Sequence, residues 1–566
     1  MRPATQVMRL DRMGAAFPSR LSFARRLLRH LSAKMAKVEQ GQWAIDKDGY
    51  GRAQFHASIG DRTYTLCCFS QYLAPEKRTD RVIATAWDAA FILFDGRPSD
   101  ADMNRLHAQA PLQEAGRYRE TDLVVSRANK SLRMFEHTVE RLSNGKQPDY
   151  GLIVDIGYLM RTTAVYANGK FGAADRSLIA DRDEFTAPFQ AEMLTVFLIR
   201  HFTHELAEHV ARCRNPNTAV ALAPAAKRHL GVGNATGLGM APFLVAHPPL
   251  LHQWVQAREG ALDEVLALEH ASAEEVQAYL LQLERVGVHL NEWRVDDEEY
   301  TARSQVLRRD IQSLKSQIAN WTLLPERPWY AIYTLSLALS VDAQELVIST
   351  LIDAHPRIAD VWAERMSTQQ ISQLSPMRDT HELIQAIRDH FAWTLETDFE
   401  SARGQHQFWY VSEEKLEPRL GVRADEPGAD KELPLAIGRE VLALFRTLSE
   451  QEPSKQITNP ETEEKRDTPL SIAEFLLKYP EHRYAVRRVQ TAARFPYSEI
   501  HDNLIGAECR PIDMLRFKLA FFGATKFDPK SDRWTRITLF QGAPLVSEVN
   551  HNPPADWAFP TFGDPN

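Results

Sequence analysis

The amino-acid sequence predicts an α+β protein with a predominantly α-helical body, a small N-terminal antiparallel sheet and a C-terminal α+β module. Residues 42–96 carry short runs of β-branched and aromatic residues, separated by Gly and Asp turn signals. Apolar residues recur at helical spacing over most of 187–397. A polar, proline-containing segment at 450–469 then precedes a last stretch in which helical and strand patterns both occur.

The composition is that of an ordinary globular protein. The chain has 566 residues, which suits about three or four structural units. Its 44% hydrophobic content excludes collagen-like, coiled-coil-only and wholly disordered chains. Four cysteines, including the adjacent pair Cys67 and Cys68, form no disulfide framework, so we expect a reducing compartment. No apolar run reaches the roughly 18 residues that a membrane span needs, so we expect no membrane partner.

Positive charge is concentrated in residues 1–34, where seven Arg and Lys34 face the single acid Asp11. The segment carries +7, which leaves −15 on the rest of a chain whose net charge is −8. So acidic a body lacks the clustered cations that bind a phosphate backbone, and we expect no nucleic-acid partner.

Two interpretations of this basic segment remain open. Being rich in Arg, poor in acids and amphipathic over 21–31, it fits a mitochondrial transit peptide, which would place the protein in the mitochondrial matrix. We favour an upstream start codon ahead of a bacterial, cytoplasmic protein that begins at Met35. Both interpretations set residues 1–34 apart from the fold.

We therefore divide the chain into five parts. They are a basic N-terminal extension (1–34), an N-terminal sheet region (35–125), a main helical body (126–449), an acidic linker (450–470) and a C-terminal module with an extended tail (471–566). In the sheet region, two strands flank a Gly60-Asp61 turn and an apolar run at 82–94 adds a third strand.

Apolar spacing predicts seven helices in the main body. They cover 188–213, 241–259, 273–285, 298–320, 329–354, 360–372 and 379–397. Ahead of them we expect helices at 99–108 and 131–142, with 126–133 as a solvated helix start. After them we expect a strand at 408–411, helices at 434–448, 471–478 and 511–522, and a strand at 535–540. Segments 159–176 and 514–533 share a weak resemblance that chance explains equally well.

The most unusual passage is glycine-rich and begins with basic residues. It contains Arg228, Gly231, Gly233, Asn234, Thr236, Gly237 and Gly239, just ahead of a predicted helix. Glycines let backbone amides approach a ligand, and a helix N-terminus attracts an anion. We predict a loop that binds a carboxylate or phosphate, with tight packing of helices as the alternative. The spacing matches neither the Walker A pattern nor G-x-G-x-x-G, so the sequence identifies no cofactor.

A second group of candidates lies on the helix predicted over 188–213. Helical spacing places Glu205 and His209 in its apolar stripe and His201 at the edge. Because burying one ionisable group alone is costly, we predict that Glu205 and His209 form an acid–base pair, with His201 beside them. The alternatives are a purely structural hydrogen bond and a metal site. The sequence does not complete the H-E-x-x-H pattern here, and we assign no metal ligand.

The third candidate is a hairpin around the turn signal Asn168-Gly169. Residues two apart share a strand face, so Arg161 and Thr163 would point the same way, with Lys170 opposite them on the return strand. We predict that these three residues bind substrate. A solvent-facing edge hairpin is the alternative.

Together these features predict a soluble enzyme that acts on a small anionic molecule bearing a carboxylate or phosphate. The ligand would lie between the glycine-rich loop and the hairpin, with Glu205 and His209 as catalytic groups. Two other classes stay open: a non-catalytic scaffold or subunit of a larger complex, and a metal-dependent hydrolase or oxygenase. The sequence names neither the substrate nor the reaction, and it leaves a homo-oligomer open.

Overall fold

The structure is a computed structural model of the chain. It describes residues 2–8, 22–74, 76, 87–109, 119–162, 179, 181–237, 248–292, 297–366, 379–402, 404–405, 410–411, 418–419, 433–434, 437–451, 469–499, 526–529, 534–550, 557 and 559–562. Within them a helical body accompanies a large sheet, so the predicted mixed α+β class with a dominant helical part is confirmed.

Among the described residues, the main sheet has nine strands in the order β1-β2-β3-β4-β5-β6-β7-β12-β11. The strands are β1 Lys37–Ile45, β2 Gly51–Ile59, β3 Arg62–Ser70, β4 Ala89–Asp95, β5 Asp122–Lys130, β6 Tyr158–Thr162, β7 Gly231–Gly237, β11 Lys526–Pro529 and β12 Trp534–Leu539. Neighbours are antiparallel except β6 and β7, which run parallel. The short strands β8 Tyr410–Val411, β9 Pro418–Arg419 and β10 Leu433–Pro434 form a second sheet.

The sheet is therefore larger than predicted and is not confined to the N-terminal region. The strand predicted at 535–540 is confirmed as β12, but it pairs with β7 of the main sheet. The two strands predicted around the Gly60-Asp61 turn are confirmed as β2 and β3, and Gly60 has a φ of +60° there. β5 contradicts the predicted helix start at 126–133, because residues 126–130 belong to a mostly buried strand.

The described residues form 18 α-helices. They are α1 Ala4–Val7, α2 Phe23–Ala33, α3 Asp100–Gln109, α4 Met134–Ser143, α5 Tyr150–Ile156, α6 Gln190–Arg214, α7 Pro224–His229, α8 Pro248–Ala267, α9 Ala273–Glu292, α10 Glu298–Ala319, α11 Pro328–Ser336, α12 Val341–Asp353, α13 Pro356–Glu364, α14 Thr380–His390, α15 Ala392–Glu396, α16 Gly438–Gln451, α17 Ile472–Lys478 and α18 Arg483–Arg494. The predicted helix at 329–354 is two helices, because the Ser340 hydroxyl accepts a hydrogen bond from the Ala343 amide and starts α12.

Helix α6 lies at the centre of the molecule. It packs against β3, β4 and β5 on one face of the sheet, and it also contacts α2 and α4. The ring of Phe202 on α6 packs against Phe55 and Phe91 of the sheet, with ring centroids 6.4 and 5.4 Å away. Nearly every side chain of α6 from Gln190 to Glu208 is buried. The few polar side chains of this helix that are not buried are therefore candidates for a functional site.

The structure places residues 2–8 and 22–34 in the fold, which contradicts the expectation that they stand apart from it. Val7 and Leu27 are fully buried in the main hydrophobic core. The arginines of α2 form ion pairs with acids of the helical body. These pairs join Arg25 to Asp353 at 2.5 Å, Arg26 to Glu364 at 2.7 Å, and Arg29 to Asp360. The basic segment thus supplies counter-charges to acidic residues of the helical body. Composition alone did not reveal this pairing.

Helices on both sides of 450–470 belong to one hydrophobic cluster. Leu383 of α14, Leu444 of α16, Phe475 of α17 and Val489 of α18 are all buried in it. The structure therefore differs from the predicted boundary, because the chain leaves this cluster after α16 and returns to it at α17. The predicted helix at 511–522 lies outside the described residues.

Candidate functional site

A cavity of about 460 Å³ lies beside α6, close to the edge strand of the sheet. Helix α6 contributes Phe197, Arg200, His201, His204 and Glu205 to its wall. The other walls come from the start of β1 (residues 36–39), from Lys227 on α7, and from residues of the C-terminal turn 545–550. Four separate parts of the chain thus enclose one polar space.

His201 and Glu205 lie one helical turn apart and face this cavity together. Residues on the core-facing stripe, such as Leu198 and Phe202, are fully buried against the sheet. His201 and Glu205 are only half-buried. The four-residue spacing within this helix therefore does bring two ionisable groups to one site.

The imidazole of His201 is neutral and open to a ligand. Neither ring nitrogen hydrogen bonds to a described residue, and neither is sealed from solvent. The ring edge packs against Phe55, with centroids 4.9 Å apart. Burial, helped by the positive charges of Lys227 and Arg200, lowers the pKa of His201 to about 4. At neutral pH the ring offers one donor and one acceptor nitrogen to the cavity.

Glu205 lies beside a cation that a second carboxylate already holds. The Lys227 ammonium is 2.7 Å from Glu208 Oε1 and 3.7 Å from Glu205 Oε1. Glu208 also accepts a hydrogen bond from the Leu222 amide at 2.9 Å, which helps to hold its carboxylate beside Lys227. Burial raises the pKa of Glu205, and the negative charge of Glu208 adds to this, while Lys227 opposes it.

Arg200 is a buried residue of the cavity lining. Its guanidinium donates to five backbone carbonyl oxygens, at distances of 2.8–3.0 Å, those of Lys227, Arg228, Leu230, Ala543 and Pro544. This side chain therefore fastens α6 to α7, to the start of β7 and to the C-terminal turn. Burial lowers the pKa of Arg200 to about 9, so the group still carries its charge at neutral pH.

The predicted pair of Glu205 and His209 is not formed. His209 points to the β1–β2 turn, where its Nε2 lies 2.9 Å from the Asp46 carbonyl oxygen and its ring packs against Trp43. It does not line the cavity. The eight-residue distance between His201 and His209 explains this, because two helical turns carry His209 past the end of the cavity.

The glycine-rich passage is a strand, which corrects the predicted loop ahead of a helix. Residues 231–237 form β7 between β6 and β12. A Cβ at Gly231 would lie 2.3 Å from the Leu539 carbonyl oxygen, and one at Gly233 would lie 2.7 Å from the Tyr158 ring. Both glycines are thus explained by close strand packing, which is nearer to the alternative interpretation.

None of the other predicted binding residues that the structure describes is among the residues that line the cavity. Asn234, Thr236 and Gly237 are in β7, but the structure does not describe their side-chain surroundings. Gly239, Thr163 and Lys170 lie outside the described residues. Arg228 is turned to Glu548, with Nε 3.0 Å from Oε2.

Arg161 is on β6, directly beside Gly233 of β7, so the structure does bring the two predicted segments together. It lies on the sheet face opposite α6. The next residue, Thr162, hydrogen bonds to Ser126, whose cross-strand partner Phe91 packs on α6. Alternation along β6 then turns Arg161, which is 1% exposed, to the other face. Arg161 and Glu205 therefore do not share a site.

Three residues at the site, Arg200, Lys227 and Lys37, are not among the binding and catalytic residues that the sequence predicts. Arg200 and Lys227 belong to passages with conspicuous patterns, but their roles depend on carbonyls and carboxylates far along the chain. Lys37 stands at the mouth of the cavity and has no ion pair within the described ranges. Nothing in its local sequence distinguishes it from other exposed lysines.

The described part of the chain holds neither a metal cluster nor a membrane-spanning helix. No group of three or more His, Cys, Asp or Glu side chains there is placed to hold a metal ion. None of the described helices is long and apolar enough to cross a membrane.

Comparison of the chain with protein-family models, curated proteins and solved structures finds no match.

Proposed function

We propose that the protein is an enzyme that binds a small molecule with one carboxylate or phosphate-type charge in the cavity beside α6, and transfers a proton to or from it. His201 and Glu205 are the acid–base groups. One observation carries the proposal: both side chains reach the same cavity from consecutive helical turns, and no described residue hydrogen bonds to the nitrogens of His201. An imidazole left open in a half-buried cavity is placed to contact a bound molecule.

The charges around the cavity favour a monoanion. Lys227 is compensated by Glu208, and Glu39 lies 3.7 Å from Arg97 outside the cavity. In the tally of lining charges, Glu205 contributes one negative charge against the one positive charge of Arg200. Lys37 remains as one positive charge at the mouth. A ligand with a single negative charge would complete the balance, whereas a cation would be repelled.

The two acid–base groups have pKa values displaced toward each other. Burial and two cations lower the pKa of His201, while burial and Glu208 raise that of Glu205. At neutral pH the imidazole of His201, with its lowered pKa, is unprotonated and can accept a proton from a bound molecule, while the raised pKa makes the carboxylate of Glu205 a better proton acceptor than an ordinary glutamate.

A binding screen tests the proposal. Small monocarboxylates, hydroxy acids and phosphate monoesters would be added singly to the purified protein and its melting temperature recorded. We expect at least one of these anions to raise the melting temperature of the wild type and of the His209→Gln variant, because His209 lies outside the cavity. The same anion should have no effect on His201→Gln.

Two results would count against the proposed function. One is a wild-type melting temperature that none of these anions changes, which would favour the scaffold interpretation. The other is an anion that stabilises His201→Gln as much as the wild type, which would place the ligand elsewhere.

A further inference from the structure

We propose that binding of a monoanion in the cavity is coupled to the uptake of one proton from solvent by the imidazole of His201. The inference rests on the proposed function and names how its site is regulated. In the empty cavity His201 is a neutral ring. In the occupied cavity it is an imidazolium in contact with the anion, and it is then a competent proton donor.

The groups that face His201 are mostly cationic. Its own helix contributes Arg200 before it, and His204 and Glu205 after it; α7 contributes Lys227. Charged residues of β1 at the cavity are Lys37 and Glu39, while β2 places the uncharged ring of Phe55 against the imidazole. The lining residues of the C-terminal turn, Leu545, Val546, Ser547 and Asn550, carry no charge.

Each of these neighbours acts on the imidazolium in a definite direction. Arg200 and Lys227 repel it, and Glu205, the one lining carboxylate on α6, is drawn toward Lys227 at 3.7 Å. His204 is 3% exposed, and burial lowers its pKa well below the usual value, so it adds no charge. The resting cavity therefore holds the proton off His201, chiefly through burial and two cations.

A bound anion reverses this electrostatic balance at the imidazole of His201. Its negative charge opposes the repulsion that Lys227 and Arg200 exert on an imidazolium, in a space of about 460 Å³ from which it displaces water. An anion within hydrogen-bond reach of a ring nitrogen favours the protonated ring, because a charge-assisted hydrogen bond replaces an unmade one. Thermodynamic linkage then requires that lowering the pH strengthens anion binding.

Calorimetry can measure the proton directly. Methanesulfonate is a suitable probe, because it is a monoanion that does not itself titrate near neutral pH. Its binding to the full-length protein would be measured at pH 6 in two buffers that differ in enthalpy of ionisation. We expect the observed enthalpy to depend on the buffer, with an uptake of about half a proton or more per bound anion.

Variants assign the proton to its group. His201→Gln should bind methanesulfonate without proton uptake, and His209→Gln, on the same helix but outside the cavity, should behave as the wild type. Should His201→Gln fail to fold, the ring carbon resonances of ¹³C-labelled histidine in the wild type give the same answer. One histidine should change from the neutral to the protonated shift when the anion is added at pH 6.

The outcomes separate this inference from the proposed function. Binding in the wild type without proton uptake would overturn the inference alone. Uptake that persists in His201→Gln and disappears in Glu205→Gln would overturn it too, since the proton would then reside on the carboxylate. Failure of methanesulfonate and of every screened anion to bind would overturn the proposed function itself.

Discussion

At the scale of single residues, helical spacing explains what could be predicted about the site and what could not. His201 and Glu205 are four residues apart, so their shared direction follows from the helix alone. The same rule predicts Glu205 and His209 as partners, but spacing within a helix does not show which residues from other elements contact each side chain. In the structure Glu205 lies beside Lys227, and His209 contacts the Asp46 carbonyl oxygen.

The glycines of β7 show the same limit. The sequence made them conspicuous, and two roles for them were open. Only the positions of Tyr158 and Leu539, far away in sequence, decide in favour of packing for Gly233 and Gly231.

Gly233→Ala should destabilise the protein by about 2 kcal/mol, because the new Cβ would meet the ring of Tyr158, which is buried and cannot move aside. Gly287→Ala is a matched control. It lies inside α9 with nothing within 4 Å of the place that its new methyl group would take, so it should stabilise the fold by up to ~1 kcal/mol. Urea unfolding of both variants measures the two effects. Equal loss in both variants would mean that strand packing is not what Gly233 serves.

At the scale of elements, amphipathic helices were the most predictable parts. The helix predicted over 188–213 is α6, and that over 298–320 is α10, because each carries a continuous apolar stripe. Strands were less predictable. β5 contains Ser126, Arg127 and Asn129, all buried, so it does not show the alternation of apolar and polar residues by which strands are recognised in a sequence.

The basic helix α2 illustrates an element whose role depends on its surroundings. Its arginines look like a targeting signal when read alone. In the structure they face Asp353, Asp360 and Glu364, which belong to helices more than 300 residues later. Ion pairs over that distance leave no local trace in the sequence.

Arg25→Ala should lower the free energy of unfolding by ~3–5 kcal/mol, because it removes the counter-charge 2.5 Å from the carboxylate of Asp353, whose side chain is 3% exposed. Lys34→Ala is the control, since its ion pair with Asp183 spans 3.3 Å at the surface and should contribute little. Thermal or urea unfolding of both variants makes the comparison. A loss below ~1 kcal/mol for Arg25→Ala would show that α2 is only loosely attached.

At the scale of the whole molecule, chain order and spatial order differ. The sheet takes strands from residues 37 to 539, and the cavity takes its walls from the start of β1, from α6, from α7 and from the C-terminal turn. A division into consecutive modules could not have produced this arrangement. The same holds for the hydrophobic cluster of α14, α16, α17 and α18. These helices lie on both sides of segment 450–470 in the sequence, but they pack together in space.

Stability should depend on pH through histidines that are neutral when folded. Burial lowers the pKa of His252 to about 4, and its Nδ1 accepts a hydrogen bond from the Tyr497 amide at 3.1 Å. His201 also has a pKa of about 4. The unfolded chain binds more protons than the folded one between about pH 4 and 6.5, so stability falls as the pH falls through that window.

The free energy of unfolding, measured in urea at several pH values, should therefore decrease steadily from pH 6.5 to pH 4. His252→Gln should be less stable than the wild type at pH 7, yet it should lose less stability on acidification, because one of the titrating groups is gone. A wild-type stability that stays constant over this window would contradict the neutral state of the buried histidines.

We propose above that the cavity beside α6 receives a ligand and that His201 faces this ligand. The most direct measurement is modification by diethyl pyrocarbonate, which reacts with neutral imidazole nitrogens, at pH 6, followed by peptide mass spectrometry. We predict that His201 is modified in the free protein and protected by an anion that raises the melting temperature, while the rate at the exposed His381 is unchanged. An unmodified His201, or one that the anion does not protect, would mean that no ligand contacts His201 in this cavity.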